Sequence, residues 1–431
     1  MPRYIGLDVH KRFVVACALY GDGEVAFRTR FNCTRDGIIG FADQYLEADD
    51  EVVMEVTTHT NAVSALLTPS VARVVVSNPK KTRAIAEATI KTDSVDARTL
   101  ADLLRCRYIS EIWQPPEHVR SLRSLMSTRE SLVGVRTKYT NRARSVLQQN
   151  LIDVPTRRFD SQVARQWLAE VELPEGSAAE VQTSLQLIDK INSEIEAVDK
   201  RIRQEAHSNP QIQLLMTLPG VGVNAATSLF AAIGDISRFR DSDHLVSYIG
   251  LSPKVKQSGG HSWYGHITKC GNVTARKMMI LAARRLATHQ GPLGHFYRRL
   301  SKRKHGNVAA VAAARKLVVI AYYMLRNDEP YRYAEPKRTQ EKLDALYTAA
   351  TGKRISPSPI GVATPSTPPS EGTKYLKVRS LSQVCERAGI PKPGIRNLAE
   401  GERKAIEPFR EYIEKISEPR VEARKSRAKG A

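Results

Sequence analysis

Short apolar runs alternate with polar breaks through the N-terminal quarter of the chain. The first three runs are rich in Val, Ala and aromatic residues, a composition typical of consecutive strands. They span residues 3–8, 12–20 and 24–30. The positions that follow predict helix 36–48, strand 51–56, helix 60–68, strand 72–77 and helical residues 81–107. Three strands followed by strands that alternate with helices predict an α/β domain.

The hydrophobic period changes to that of a helix from about residue 117. Apolar residues recur at three- and four-residue steps along one face, at Leu122, Leu125, Leu132, Tyr139, Ala143 and Val146. A second such stretch runs through Ile188, Ile191, Ile195, Val198 and Ile202. The two stretches predict a helical hairpin or coiled coil. An arm for oligomerisation and an ordinary helix pair within one chain are both compatible with this pattern.

Two later segments have the pattern of paired helices. In 214–238 the turn Leu218-Pro219-Gly220-Val221-Gly222 separates two helical stretches, which predicts a helix–hairpin–helix. Gly220 and Gly222 would let the backbone approach a phosphate, although such a turn is also common without a ligand. Beyond a Pro-rich linker in 351–372, residues 381–401 resemble a helix-turn-helix, and a basic tail ends the chain.

The charge is large and unevenly distributed. The chain of 431 residues has a formal net charge of +21, yet residues 1–110 hold 14 basic and 14 acidic residues. A neutral segment followed by basic ones favours a polyanionic ligand such as nucleic acid, with a basic surface for solubility as the alternative. Five scattered cysteines without a CxxC pair and no long apolar run predict a cytoplasmic protein with no membrane span.

Four acidic residues of the N-terminal domain are candidates for a two-metal site. Asp8 and Glu55 each end a predicted strand, and Asp93 and Asp96 lie three apart at the head of a predicted helix. Carboxylates at strand ends and one helical turn apart can converge on Mg²⁺, with Mn²⁺ as an alternative ion. Two such ions can clamp the attacking and leaving oxygens of a phosphodiester. Helix-capping roles for Asp93 or Ser94 are the alternative interpretation.

Segment 244–282 makes the interpretation more specific, because it adds further motifs to the acidic set. The full set is Asp8, Glu55, Lys91-x-Asp93-x-x-Asp96-Ala97, Pro219-Gly-x-Gly, Gly250-Leu-x-Pro253, Ser258-Gly259, Gly265-x-Ile-x-Lys269-x-Gly271 and Arg276. This set resembles the pattern of the insertion-sequence one-ten family of transposases, and the resemblance covers residues 3–330 in the expected order. The chain departs from the family's usual pattern after Glu55, where Val56-Thr57-Thr58-His59 follows, and at His266, where an arginine is common.

The resemblance implies a RuvC-like ribonuclease H domain with a DEDD set of Mg²⁺ ligands (Asp8, Glu55, Asp93 and Asp96) and Ser258 as the nucleophile. The serine would form a covalent phosphoserine intermediate with DNA, in a composite site of a homodimer or homotetramer. A non-coding bridge RNA would pair with target and donor DNA. The implied domains are RuvC-like 1–112, helical connector 113–208, transposase domain 209–332 with the helix–hairpin–helix, linker 333–372 and basic extension 373–431.

Candidate nucleic-acid contacts are basic or glycine residues near these motifs. They are Lys91, Gly220, Gly222, Lys254, Lys256, Lys269, Arg276, Arg298, Arg299, Lys302 and Arg303. Two other functions fit the same residues. A RuvC-like nuclease that hydrolyses branched DNA with water would not need Ser258, and a non-catalytic nucleic-acid-binding protein would need neither the acids nor the serine.

Overall fold

The computed structural model describes residues 2–79, 81–82, 92–154, 159, 161–258, 261–353, 373–394, 403–404, 406–418 and 420–425. The chain divides into two compact units, Met1–Pro115 and Pro116–Ala431. Lys91 and the second helix of the predicted helix-turn-helix, at 395–401, lie outside the described residues.

The first unit is built on a five-stranded mixed sheet. Its strands are β1 (Tyr4–Val9), β2 (Phe13–Leu19), β3 (Val25–Asn32), β4 (Glu51–Glu55) and β5 (Arg73–Ser77), in the spatial order β3-β2-β1-β4-β5. The strands β1, β2 and β3 pair antiparallel, whereas β1 pairs parallel with β4 and β4 with β5. The predicted α/β order of strands is confirmed, with boundaries that differ by a few residues.

Helices cover both faces of this sheet. Helices α1 (Arg35–Tyr45) and α2 (Thr60–Leu67) contribute to a core with the side chains of Ile5, Leu7 and Val9. Helix α3 (Asp93–Arg105) packs on the other face, where Leu100 and Leu104 contact Val53 and Val75. Alternate residues of a strand point to opposite faces, so this packing assigns the even-numbered positions of β1 to the α3 face.

Two long helices begin the second unit. Helix α4 (Glu117–Gln149) and helix α6 (Glu175–Ser208) flank the short helix α5 (Gln162–Glu170). The Nε of Arg129 donates to Oδ1 of Asp199 at 2.6 Å, and Arg142 pairs with Glu180 nearer the other end. The residue number of the partner on α6 falls from 199 to 180 as the number on α4 rises from 129 to 142. The two helices therefore run antiparallel and form a hairpin. The predicted helical hairpin is confirmed within one chain, and an oligomerising coiled coil stays a prediction.

The remainder of the second unit is mostly helical. Its elements are α7 (Pro210–Met216), α8 (Val223–Ile233), α9 (Ser242–Ile249), β6 (Pro253–Ser258), β7 (His261–Ile267), α10 (Val273–Arg284), α11 (Pro292–Ser301) and α12 (Gly306–Asn327). Helix α12 is long and apolar enough to span a membrane by length and composition. Ten of its residues are buried against the surrounding helices, which is the environment of a core helix.

The C-terminal region differs from the expected linker and tail. Residues 333–372 were expected to be a linker, but Pro336–Thr351 form helix α13, whose Leu343 and Leu346 are buried in the core of the second unit. A helix with a buried apolar face is held by packing that a linker lacks. Strand β8 (Thr373–Val378), helices α14 (Leu381–Ala388) and α15 (Arg410–Ser417), and strand β9 (Arg420–Lys425) follow. Strands β8 and β9 pair antiparallel, so the basic tail begins within a strand.

Candidate active site and nucleic-acid contacts

Asp8 and Glu55 lie beside each other at one edge of the sheet. The parallel register pairs Leu7 of β1 with Met54 of β4, and each acid is the next residue on its strand. Residues in register on parallel strands point to the same face. Because Gly6 and Val53 face helix α3, the two acids two residues further on are directed to that face as well.

Helix α3 brings its first turn to the same edge. A Cβ placed on Gly6 would lie 2.0 Å from the carbonyl oxygen of Ala97 and 2.7 Å from the nitrogen of Ala101, so helix and strand meet backbone to backbone. The helix runs opposite to β1, which directs Asp93 and Asp96 towards Asp8. Thr92 is the N-cap and accepts from Val95 N at 3.3 Å. The aspartates are therefore free of the capping role.

His10 joins the acids at this edge. Its Nε2 lies 2.9 Å from Oδ2 of Asp8 and 3.4 Å from Oδ1 of Asp93. Ligand atoms of Asp8, His10 and Asp93 all lie within 4.8 Å of one another. Burial raises the pKa of Asp8, His10 opposes that shift, and the negative charges of Asp93 and Asp96 add to it. A divalent cation would relieve this repulsion.

The donor set fits a hard divalent cation. Carboxylate oxygens are the preferred ligands of Mg²⁺ and Mn²⁺, and an imidazole nitrogen is tolerated by Mn²⁺. The structure places Asp8 and Asp93 in one cluster, with Glu55 on the adjacent strand and Asp96 one turn further along the helix. His10 was not among the predicted ligands. The signal that could have identified it is its position two residues beyond Asp8, just after β1 ends.

Ser258 lies at the end of an exposed hairpin in the second unit. It is the last residue of β6, and its cross-strand partner is His261, the first residue of β7. Both residues are exposed, as are Val255 and Trp263 on the same hairpin. Gly259 and Gly260 lie outside the described residues. An exposed hydroxyl at a hairpin end is accessible to a DNA phosphate.

The predicted helix pair with a glycine turn is present as α7, the turn 217–222 and α8. Gly220 has a φ of +78°, and a Cβ there would lie 2.4 Å from Ala282 O. Gly222 is the N-cap of α8 and faces open space. Gly220 is therefore required by packing, whereas Gly222 leaves room for a ligand.

Lys342 of helix α13 holds this turn. Its Nζ donates to the carbonyl oxygens of Leu218 at 2.9 Å and Val221 at 3.0 Å, and also to that of Met216. Three acceptors match the three hydrogens of an ammonium group. Burial lowers the pKa of Lys342 to about 7. The three carbonyls favour the charged form and oppose this effect, so we expect the ammonium to persist at neutral pH.

His289 is buried beside the same helix. Its Nδ1 accepts from Gly291 N at 3.1 Å, which requires the neutral ring. Burial, together with the positive charges of Arg338, Lys342 and Arg298, lowers the pKa of His289 to about 4. The ring of Tyr412 packs against it edge to face. This histidine is a structural group that resists protonation.

Arg276, a predicted nucleic-acid contact, is buried within the fold. Its guanidinium donates to the carbonyl oxygens of Ile249 at 3.0 Å and Cys270 at 3.3 Å. The arginine thereby joins the end of α9 to the turn after β7. It stabilises the segment that carries the hairpin, and its guanidinium is occupied within the fold.

The other predicted basic contacts fall into two groups. Lys254 and Lys269 are exposed on the hairpin and the turn after it, and Lys256 lies on β6. The second group lies at the end of α11 and just after it, where Arg299, Lys302 and Arg303 are exposed. Arg298 donates to the carbonyl oxygens of Ala287 and His289, so its guanidinium is partly occupied within the fold.

Comparison with known proteins gives concordant matches. A transposase family model of the DEDD type, named for IS110, matches residues 5–152, and a model described as Transposase IS116/IS110/IS902 family matches residues 212–298. The 44.8 kDa protein of insertion element IS116 from Streptomyces clavuligerus is 26% identical over 77% of this chain and 97% of its own length.

Two further relatives agree. The transposase of IS1111A from Coxiella burnetii is 28% identical over 56% of this chain and 68% of its own. The pilin gene-inverting protein of Moraxella bovis is 26% identical over 76% of this chain and 97% of its own. The two models together span both the acidic cluster and the Ser258 hairpin. The chain belongs to the IS110 family of transposases.

Proposed function

We propose that the protein is a DNA recombinase that cuts and exchanges the strands of an insertion element through a covalent phosphoserine intermediate. Asp8, Glu55, Asp93 and Asp96 would hold Mg²⁺, as two ions, with Mn²⁺ as a substitute. The observation that carries this proposal is the convergence of the acids at one sheet edge. Names of relatives, a transposase and a gene-inverting protein, support strand exchange as the outcome.

The first unit would have a RuvC-like ribonuclease H fold. Three antiparallel strands followed by two parallel ones, with the acids on the first and fourth, support this assignment. The turn between α7 and α8 would act as a helix–hairpin–helix that contacts the DNA backbone through Gly222. Its open surroundings support that role.

The chemistry follows from the residues present. Bound Mg²⁺ would polarise the scissile phosphate and stabilise the charge of the transition state. His10 orients Asp8 and Asp93 through contacts of 2.9 and 3.4 Å, which limits the freedom of the carboxylates before the ion binds. Ser258 supplies the nucleophile. Its ester with DNA conserves the phosphodiester energy, so strands rejoin without a nucleotide cofactor.

The partners would be element and target DNA, together with a bridge RNA, in a homodimer or homotetramer. Support for a nucleic-acid partner comes from the charge, because the first 110 residues are neutral within a chain of +21. The exposed Lys254, Lys269, Arg299, Lys302 and Arg303 supply cations for phosphate contacts. A nucleoid-associated location in a prokaryotic cytoplasm fits these partners.

The proposal is tested by a covalent-adduct assay. Purified protein is incubated with Mg²⁺ and with the DNA and transcribed RNA that flank its coding sequence, then denatured and separated on a gel. We expect a protein–DNA band in the wild type that is absent from Ser258→Ala and from Asp8→Asn. Nicked DNA without an adduct, unchanged in Ser258→Ala, would contradict the serine mechanism and favour the water-using nuclease.

A further inference from the structure

The hairpin that carries Ser258 places a histidine directly across from it. Ser258 and His261 are register partners at the closed end of β6 and β7. Side chains of directly opposite residues share one face of an antiparallel pair, with Cβ atoms about 4.5–5.5 Å apart. An imidazole at this separation can reach a serine hydroxyl by rotation of two side-chain bonds. Both residues are exposed, so substrate has access to them.

An aromatic ring lies next to Ser258 and His261 on the same face of the hairpin. Trp263 follows His261 by two residues, and their ring centroids lie 6.1 Å apart at 41°. The Trp263 side chain is 60% exposed, and its cross-strand partner is Lys256. The opposite face instead carries Gln257 across from Ser262. Hydroxyl, imidazole and aromatic ring are thus ordered along one face of the hairpin.

We propose that His261 is the general base for Ser258, a role that rests on the proposed serine mechanism. The imidazole takes the hydroxyl proton as the Oγ–P bond forms. The P–O bond to the leaving deoxyribose oxygen breaks, and that oxygen departs with the electron pair and takes a proton from water. His261 then releases its proton to solvent. In the rejoining step the deoxyribose hydroxyl attacks the phosphoserine, and Ser258 regains a proton.

A base would assist the attack, because a serine hydroxyl is a weak nucleophile near neutral pH. Histidine is the side chain whose ordinary titration range lies nearest neutrality, and a positioned base contributes about 10²–10⁴-fold. The other titratable side chains of the hairpin are Lys254 and Lys256 on β6, and Tyr264 and His266 on β7. His266 lies five residues beyond His261, at the shift in register between the Val255–Tyr264 and Pro253–Ile267 pairs.

The test is the initial rate of adduct formation as a function of pH. Wild type, His261→Gln, His261→Ala and the matched control His266→Gln are compared on the flanking DNA and RNA with Mg²⁺. We expect His261→Gln to form the adduct about 100-fold more slowly, within the range for a positioned base, and to lose the rise in rate with pH. DNA retention on a filter should equal that of wild type. Added imidazole should restore part of the rate in His261→Ala.

Three outcomes would overturn the inference, and they are distinguishable. A His261→Gln variant with the wild-type rate and pH profile would remove His261 from catalysis, while loss of adduct in Ser258→Ala would leave the serine mechanism standing. Adduct formation that persists in Ser258→Ala would remove the serine mechanism and the base together. A slow His261→Ala without imidazole rescue, but with reduced DNA retention, would assign His261 to binding instead.

Discussion

Substitution of Gly6 by alanine should move the acids of the candidate site apart, because the added methyl group would lie between β1 and helix α3. A Cβ on Gly6 would lie 2.0 Å from Ala97 O and 2.7 Å from Ala101 N. The first contact is about 1.4 Å shorter than the 3.4 Å at which ordinary contacts begin, and both neighbours are backbone atoms. Helix α3 must therefore move away from β1 as a body. Its first turn carries Asp93 and Asp96 with it.

These short distances indicate how much stability and reaction rate Gly6→Ala should lose. Overpacking of this kind destabilises by about 1–3 kcal/mol, which corresponds to a fall in Tm of several degrees in a domain of this size. A displacement of about 1 Å between catalytic groups costs about 10²-fold in rate. We expect Gly6→Ala to show both effects. The assays are thermal unfolding of the protein and the rate of adduct formation at saturating Mg²⁺.

Gly40 provides the matched control, because it lies in helix α1 with no atom within 4 Å of an added Cβ. Gly40→Ala should be neutral or stabilise by about 0.5–1 kcal/mol, as alanine does in a helix. A Gly6→Ala variant with the Tm and rate of Gly40→Ala would refute the close packing of α3 on β1 and the placement of its acids.

Three further predictions concern the second unit. Lys342→Met should lower the free energy of unfolding by about 2–4 kcal/mol in urea titrations, because three carbonyl oxygens lose their donor; the exposed Lys304→Met should not. The pKa of His289 is lowered from 6.5 to about 4, so its neutral form contributes stability that is complete above pH 6.5 and is lost, by up to about 3 kcal/mol, as the pH falls to 4. In acid titrations of His289→Gln, the free energy of unfolding should lack this dependence on pH. Arg276→Gln should lower Tm without changing the salt dependence of DNA binding, whereas Lys254→Ala should reduce that slope by about one, and the reverse pattern would contradict both assignments.

The sequence predicted the first unit well because local pattern and tertiary structure agree there. The apolar runs of β1, β2 and β4 place their residues in the sheet without any knowledge of the helices. The acids at strand ends follow from the same pattern. His10 was not predicted as part of the site, because a lone polar residue after a strand end usually faces solvent, and only the position of Asp93 gives it a second partner.

Long-range contacts explain what the sequence did not predict. Arg276 belongs to a family motif and has a charge suited to phosphate, yet its acceptors are carbonyls of residues 249 and 270, which sequence periodicity does not bring together. Helix α13 lies within residues 333–372, which were predicted to be a linker. Its role depends on Lys342, whose carbonyl partners lie more than 120 residues earlier in the chain.

The pairing of Ser258 with His261 could be predicted from the sequence only in part. A hairpin with glycines between two polar runs fixes its register by the length of its turn, so the opposition of the two residues follows from the sequence once both strands are assigned. No strands were predicted in this segment, because β6 and β7 are short and exposed, with little apolar alternation.

Mn²⁺ binding measured with electron paramagnetic resonance shows directly whether the acids form a divalent-cation site. Free Mn²⁺ gives a sharp six-line spectrum that is lost on binding, so titration of the protein reports occupancy without DNA or RNA. We expect Mn²⁺ binding to weaken about 10–100-fold in Asp8→Asn and in Asp93→Asn and to be unchanged in the exposed Asp43→Asn. Equal binding by all four proteins would contradict this expectation.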